Sequence, residues 1–274
     1  MTELFDISHW NTITDWQKVA SKISGIGIKF SQGNYYADPK AREHYENAGR
    51  VGLKRFPYHF VTKDKGQYEW FMECTKGLTF ELAPMMDCEA YNTITTADKL
   101  MSLTNMPGMN GEFLKDVEKE YPVRELRYGS INEVEAYKMG EILGYTYPTE
   151  AIVDVMGRKL IGFQGFPMPV IYTNPASGNA IFKSPSMRKY LLHIAHWGVK
   201  KPTLPKVWTG EDWYMWQDGV IEFDGVQDKV DHNIWGKKVK FPEDTTPPPP
   251  PVSSKWYVVA YPGGVKHEGT IEAK

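Results

Sequence analysis

Ala83-Pro84-Met85-Met86-Asp87-Cys88-Glu89-Ala90-Tyr91-Asn92 reads as a buried apolar strand that ends in two carboxylates, Asp87 and Glu89, one residue apart. Side chains alternate along a strand, so both acids face the same way, with stems roughly 6–7 Å apart at about 3.3 Å per residue. Two like charges on one face raise the proton affinity of one member. An acid that keeps its proton beside one that stays charged is the pair that glycoside hydrolysis uses. Taken alone, the D-x-E pattern fits a strand ending in polar surface residues equally well.

The segments upstream place this strand in a repeating series. Leu4 to Ser8 forms a short strand carrying Asp6, and Thr14-Asp15 caps a helix through Trp16, Val19 and Ala20. Gly25 to Phe30 is a second strand running into Ser31-Gln32-Gly33, and a helix follows from Pro39 to Arg50, with proline at a permitted first position. Arg55 to Phe60 is a third strand, and Asp64 to Lys76 a third helix. This alternation predicts parallel strands joined by helical crossovers, an α/β fold whose commonest closed form at this length is a (β/α)-barrel, TIM-like and here irregular. In such barrels catalytic groups stand at the carboxyl ends of strands. Asp6, Lys29, His59 and the Asp87–Glu89 pair recur at those ends.

Downstream the pattern is weaker. Helices are expected over Gly111–Tyr121 and Ile131–Leu143, and no strand can be placed between Tyr145 and Pro148 or between Gly162 and Pro169. Pro169–Asn174 is a strand ending in polar groups, Ser184–Tyr190 a short helix leading into Leu191–Trp197, Trp213–Gln217 a strand, and Gln227–Trp235 a last polar strand or loop. Residues 244–254 have the composition of a stiff, extended Pro-rich linker. The chain therefore divides into a barrel over 1–243, the linker, and a short β-rich tail over 255–274 with a Pro-Gly-Gly turn. Twenty residues are too few for a core of their own, so the tail is an ordered appendage or the start of a second domain.

Composition limits the function classes. Hydrophobic residues are 41% and charged residues 24% of 274, an ordinary globular balance. Nine Trp and sixteen Tyr suit a sugar-binding groove as well as a core, because these rings combine flat apolar faces with a polar edge. A net charge of −2 leaves no footprint for nucleic acid or an anionic membrane. Cys74 and Cys88 have no metal-type spacing, and Cys88, between the acids, should face the core as a free thiol. No metal or cofactor is implied. The first residues lack a basic and then apolar leader, and no stretch approaches 18 apolar residues, so neither a secretory signal nor membrane insertion is expected.

These motifs together resemble the family 25 glycoside hydrolase lysozymes, N-acetylmuramidases that include phage endolysins. Phe5-Asp6-Ile7-Ser8-His9-Trp10 resembles the family's opening D-[IV]-S-x-[WY], and Ile28-Lys29-Phe30-Ser31-Gln32-Gly33 its I-K-x-[ST]-[EQ]-G. Tyr58-His59-Phe60 matches Y-H-F, and Pro84-Met85-Met86-Asp87-Cys88-Glu89 matches P-x-x-D-x-E. Tyr36 to Pro39, Ile171-Tyr172-Thr173, Trp216-Gln217 and Val230-Asp231-His232-Asn233 fall in the family's order, so the resemblance spans residues 3–240. It departs in a longer segment from Tyr121 to Gln164, and in Cys88 where an aliphatic residue is usual.

The resemblance implies cleavage of the β-1,4 bond from N-acetylmuramic acid to N-acetylglucosamine in bacterial peptidoglycan. Glu89 would be the general acid, and Asp87 would hold the proton on it. Asp87 would also either stabilise positive charge at the anomeric carbon or orient the substrate's acetamido group as nucleophile. Asp6 and Asp231 would orient and polarise that pair. Lys29, Tyr58, His59, Tyr172, Trp197 and Trp216 are the substrate-binding candidates, although plain packing suits each ring as well, and His59 also reads as a core histidine donating to a carboxylate. His193 and His196 read as structural. The resemblance further implies synthesis in a host cytoplasm, holin-type release and action on the cell wall, with the tail as the start of a wall-binding domain. Three other readings are a catalytically weak wall-binding module, an amidase or peptidase, and a chitinase-type barrel. The first conflicts with the full set of four acids, the second with the lack of a zinc cluster or Cys/His pair, and the third with Pro84-Met85-Met86 where further acids should stand.

Overall fold

A parallel sheet exposes two raw edges, and this chain removes both by closing the sheet on itself. The computed structural model describes residues 3–90, 148–208, 210 and 213–236, all within one compact unit, 1–238. Its first half contains β1 (Glu3–Ile7), β2 (Thr12–Ile13), α1 (Trp16–Ala20), β3 (Gly25–Gln32), β4 (Tyr36–Ala37), α2 (Ala41–Arg50), β5 (Lys54–Phe60), α3 (Gln67–Cys74) and β6 (Met85–Asp87). The second half contains α4 (Glu150–Leu160), β7 (Val170–Thr173), α5 (Pro175–Ile181), β8 (Leu191–Ala195), β9 (Met215–Glu222), β10 (Val226–Gln227) and β11 (Lys229–Trp235). The expected helices over 111–121 and 131–143, most of the 121–164 segment, the linker and the tail lie outside the described residues.

Eight strands form the ring, in the order β1, β3, β5, β6, β7, β8, β9, β11 and back to β1. Seven run parallel, and β11 pairs antiparallel with both β9 and β1. The barrel is therefore closed and mixed, with its final crossover replaced by a hairpin. That hairpin is the irregularity, and it brings Asp231 directly opposite Asp6.

Alternation divides the strand residues between two layers. Outward-facing Ile7, Ile26, Ile28, Phe30, Met86, Cys88, Ile171, Leu192, Ile194 and Trp216 form a core with the helices. Inward-facing Leu4, Phe56, Met85, Val170 and Met215 are also buried, so the lumen has an apolar floor under a polar upper layer. Gly27 permits this filling: a Cβ there would collide with the Phe56 ring and lie 3.1 Å from Asp6 Cβ.

Element boundaries follow local chemistry. Asp15 caps α1, accepting from the Lys18 amide, as its sequence suggests. The third helix starts at Gln67 rather than Asp64, because Gly66 turns the chain with φ of +75° and Asp64 accepts from the Thr62 hydroxyl. The second starts at Ala41, since Asp38 accepts from the Lys40 amide just before it. Ser184–Tyr190 contains only a 3-10 turn, Pro185–Lys189.

Two helices escape the sequence reading. The first, α4, is buried on nearly every face, its polar Glu150 and Asp154 included, and its Gly157 lies against the Tyr190 ring. The second, α5, is short, though Asn174 accepts from the Ser177 amide and Pro175 occupies its first turn. Among the described residues no strand lies between β6 and β7, which pair directly.

Candidate active site

The two acids of the opening motif leave β6 at its carboxyl end. The strand proper stops at Asp87, and the extended course continues through Cys88, whose amide donates to the Tyr172 carbonyl at 2.8 Å. Glu89 therefore stands just past the strand rather than in it, partly exposed, while Asp87 is buried. Cys88 faces the helices, fully buried and free, as alternation requires. Asp87 Oδ1 is buried without a hydrogen-bond partner.

Asp6 enters from β1 and Asp231 from β11, in direct register. Two amides aim at Asp6: Gln217 Nε2 donates to its Oδ2 at 3.0 Å, and Asn233 Nδ2 donates to the same oxygen at 2.8 Å. Each amide is itself fixed. Gln217 Oε1 accepts from the Tyr172 hydroxyl at 2.9 Å and from Trp197 Nε1 at 3.0 Å. Asn233 Oδ1 accepts from His193 Nε2 at 2.7 Å, and the other His193 nitrogen lies 3.2 Å from Met85 Sδ. Burial lowers His193 to about 3, so this ring is neutral and donates from one nitrogen. A glutamine whose oxygen receives two donors can only point its nitrogen at Asp6.

The acids share one field. Burial pushes Asp87 well above the ordinary carboxylate range, and Glu89's charge pushes further, followed by Asp6 and Asp231, while Lys29 pulls back. Burial raises Asp231 to about 8, with Asp6 and Glu89 adding repulsion. Asp6 rises to about 6 through burial, against the pull of its two amide donors. The cluster therefore retains protons at neutral pH that isolated carboxylates would lose. Burial favours the proton on Asp87, which the sequence reading left charged.

The remaining candidates separate by strand face. Tyr58 and Tyr172 face inward, and burial together with the surrounding acids raises both phenols well above their ordinary value. Lys29 also faces the mouth: its Nζ donates to Gln32 Oε1 at 3.2 Å and lies 5.0 Å from the Phe60 ring centre. Trp197 stands exposed at the end of β8 with its indole N–H on Gln217.

His59 and Trp216 face the other way. His59 packs toward α3, with Ser31 Oγ 2.8 Å from Nδ1 and Gln67 Oε1 3.1 Å from Nε2, and burial lowers it to about 4. Its partner is an amide, not the expected carboxylate. A register shift between Lys29 and Ser31 turns Ser31 outward to meet it. Trp216, one residue from Gln217, packs edge-on to Trp213 in the outer core and donates to the His196 carbonyl at 2.9 Å. His196 Nδ1 accepts from the Thr203 amide. Neither His59 nor Trp216 joins the acids. Gln217, Asn233 and His193 do, and the first two were quoted only as motif letters. Their alternation with Trp216 and their spacing from Asp231 were the available signal.

Among the described residues no group of His, Cys, Asp and Glu is arranged to hold a metal ion, and no helix is long and apolar enough to cross a membrane.

Three comparisons bear on this site. The family model described as Glycosyl hydrolases family 25 matches residues 5–146, just over half the chain. Lysozyme M1 of Streptomyces globisporus is 25% identical over 239 residues, covering 83% of this chain; the chain spans 65% of that relative's length. The crystal structure of the bacterial lysozyme from Streptomyces coelicolor superposes with a TM-score of 0.57 at 20% identity, over 85% of this chain and 91% of that one. The CTP1L endolysin structure gives 0.56 at 18% identity, over 86% and 67%. At such identities the two structures establish a common fold.

Proposed function

The chain belongs to the family 25 glycosyl hydrolases, and from that premise we propose that it cleaves the β-1,4 bond between N-acetylmuramic acid and N-acetylglucosamine in peptidoglycan. The observation that carries this reading is the convergence of Asp6, Asp87, Glu89 and Asp231 in one electrostatic field at the carboxyl mouth of the barrel.

The arrangement supports a definite division of labour. The Asp87–Glu89 pair carries one proton between them, and Glu89, at the groove surface, hands it to the leaving sugar oxygen. Both carboxylates are then charged against the positive charge developing at the anomeric carbon, in a site whose lumen below is apolar. Asp87, with one oxygen lacking a protein donor, faces that carbon or the neighbouring acetamido group. The amides of Gln217 and Asn233 keep Asp6 in place, and the charge of Asp6, joined by Asp231 once it ionises, holds the proton on the pair by repulsion. Lys29, Tyr58, Tyr172 and Trp197 line the approach.

The biological role we propose is that of a phage endolysin, made in the host cytoplasm, released through a holin-type pore and acting on the cell wall. Its support is the run of sequence motifs shared with such enzymes. Expression inside bacteria with and without a pore-forming partner tests it: lysis only with the pore supports the role, and lysis without it contradicts it.

Glu89→Gln tests the chemistry, because it keeps the shape and removes the titrating group. The variant should still sediment with purified cell walls yet release no soluble fragments. Fragment release at the wild-type rate would refute Glu89 as the acid.

A further inference from the structure

We infer that Trp10 and Tyr35 form a second sugar-binding rim, across the mouth from Trp197, that takes an N-acetylhexosamine unit remote from the bond being cut. The inference rests on the glycan-cleaving reading above and deepens it.

Single exposed apolar side chains are ordinary on any protein surface. Their placement here is not scattered. Among the described residues three aromatic rings are exposed: Trp10 at 82%, Tyr35 at 61% and Trp197 at 53%. All three lie on loops at the carboxyl mouth: Trp10 after β1, Tyr35 in the turn from β3 to β4, and Trp197 after β8.

The strand order sets them apart. Around the ring, β6 with its two acids lies between β3 and β8 on one arc, and β11 with Asp231 lies between β8 and β1 on the other. A glycan laid from Trp197 to the Trp10–Tyr35 side therefore passes over the carboxylates.

The new rim is braced. The Trp10 ring centre lies 4.4 Å from that of His9. His9 is pinned by buried Asp38, whose Oδ2 is 3.0 Å from both its backbone nitrogen and its Nδ1, and by the Tyr36 hydroxyl at 2.9 Å. Tyr35 accepts at its hydroxyl from Gln32 Nε2 at 3.1 Å, and Gln32 in turn accepts from Lys29. Flat rings edged by an amide, an imidazole and hydroxyls match a pyranose, which offers an apolar face and an equatorial ring of hydrogen-bonding groups. Pre-set platforms of this kind reduce the ordering cost of binding.

The test compares wild type, Trp10→Ala, Tyr35→Ala and the double variant on two peptide-free substrates: long glycan strands, and a tetrasaccharide with one cleavable bond. Thermal unfolding of the variants should match wild type, since both rings are exposed. The double variant is expected to lose about tenfold in kcat/KM on long strands, chiefly through KM, and nothing on the tetrasaccharide. Equal losses on both substrates, or no loss on either, would overturn the rim. So would a loss confined to a third substrate, long strands that retain their peptides, which would make the occupant a peptide. Should wild type cleave neither substrate, the activity reading has failed. The affinity of the uncut strands for wild type and double variant then decides the rim, and equal affinity overturns it.

Discussion

Asp231→Asn should make the protein more stable at alkaline pH while impairing catalysis. In the folded protein, burial and the charges of Asp6 and Glu89 raise Asp231 from 3.8 to about 8. A raised carboxylate favours folding fully below its unfolded value, and that contribution is lost as pH climbs through the folded value. The penalty therefore opens above pH 4 and is complete past pH 8. At about 1.4 kcal/mol per pH unit the ceiling is roughly 6 kcal/mol. The repulsion is shared with Asp6 and relieved when the cluster keeps a proton, so removing one member should return about 2 kcal/mol. For a domain of this size that is about 4–8 °C in Tm. Buried His193 and His59, lowered to about 3 and about 4, contribute the opposite slope, stabilising above pH 6.5 and failing as pH falls through those values. They are common to both proteins and cancel in the difference. Thermal unfolding from pH 4 to 8 reads that difference directly: near zero at pH 4, and rising to several degrees in favour of the variant at pH 8. A flat difference, or a variant less stable at pH 8, would refute the electrostatic reasoning.

Three further outcomes follow from the same geometry. Removing the negative charge of Asp6 with Asp6→Asn lessens the repulsion that holds a proton on Asp87, so the alkaline limb of the kcat/KM profile should move to lower pH. Gly27→Ala pushes a methyl into the Phe56 ring and against Asp6; calorimetry should show a loss of about 1–3 kcal/mol, with activity falling as Asp6 is displaced. Gln217→Leu strands the Tyr172 hydroxyl and takes a donor from Asp6; denaturant unfolding should register about 1–3 kcal/mol, and kcat should fall more than KM rises.

The sequence exposed the barrel where strand and helix alternate with ordinary chemistry. Asp15 as a cap and the apolar runs around Ile26 and Met86 are local features, so residues 3–90 were readable without tertiary information. The closing hairpin was not, because an antiparallel final strand depends on which neighbours β11 finds, and Gln227–Trp235 is too polar to announce a buried strand. α4 carries a polar row, Glu150, Asp154 and Arg158, at helical spacing, but its first two members turn onto Ser184 and Lys189 rather than solvent, a burial the sequence does not announce. At the site, the acids were legible as strand-end residues, whereas His59 and Trp216 face away because each alternates with an inward neighbour, Tyr58 and Gln217. Gln217 and Asn233 escaped because neutral amides carry no chemical signature until their partners are in place.

The central claim is that this cluster of acids cuts the glycan backbone of peptidoglycan. The most direct measurement is to digest purified cell walls and identify the new chain ends, with Glu89→Gln run beside the wild type. New reducing ends on N-acetylmuramic acid, absent with the variant, are the expected result. Reducing ends on N-acetylglucosamine, or new free amines, would contradict it.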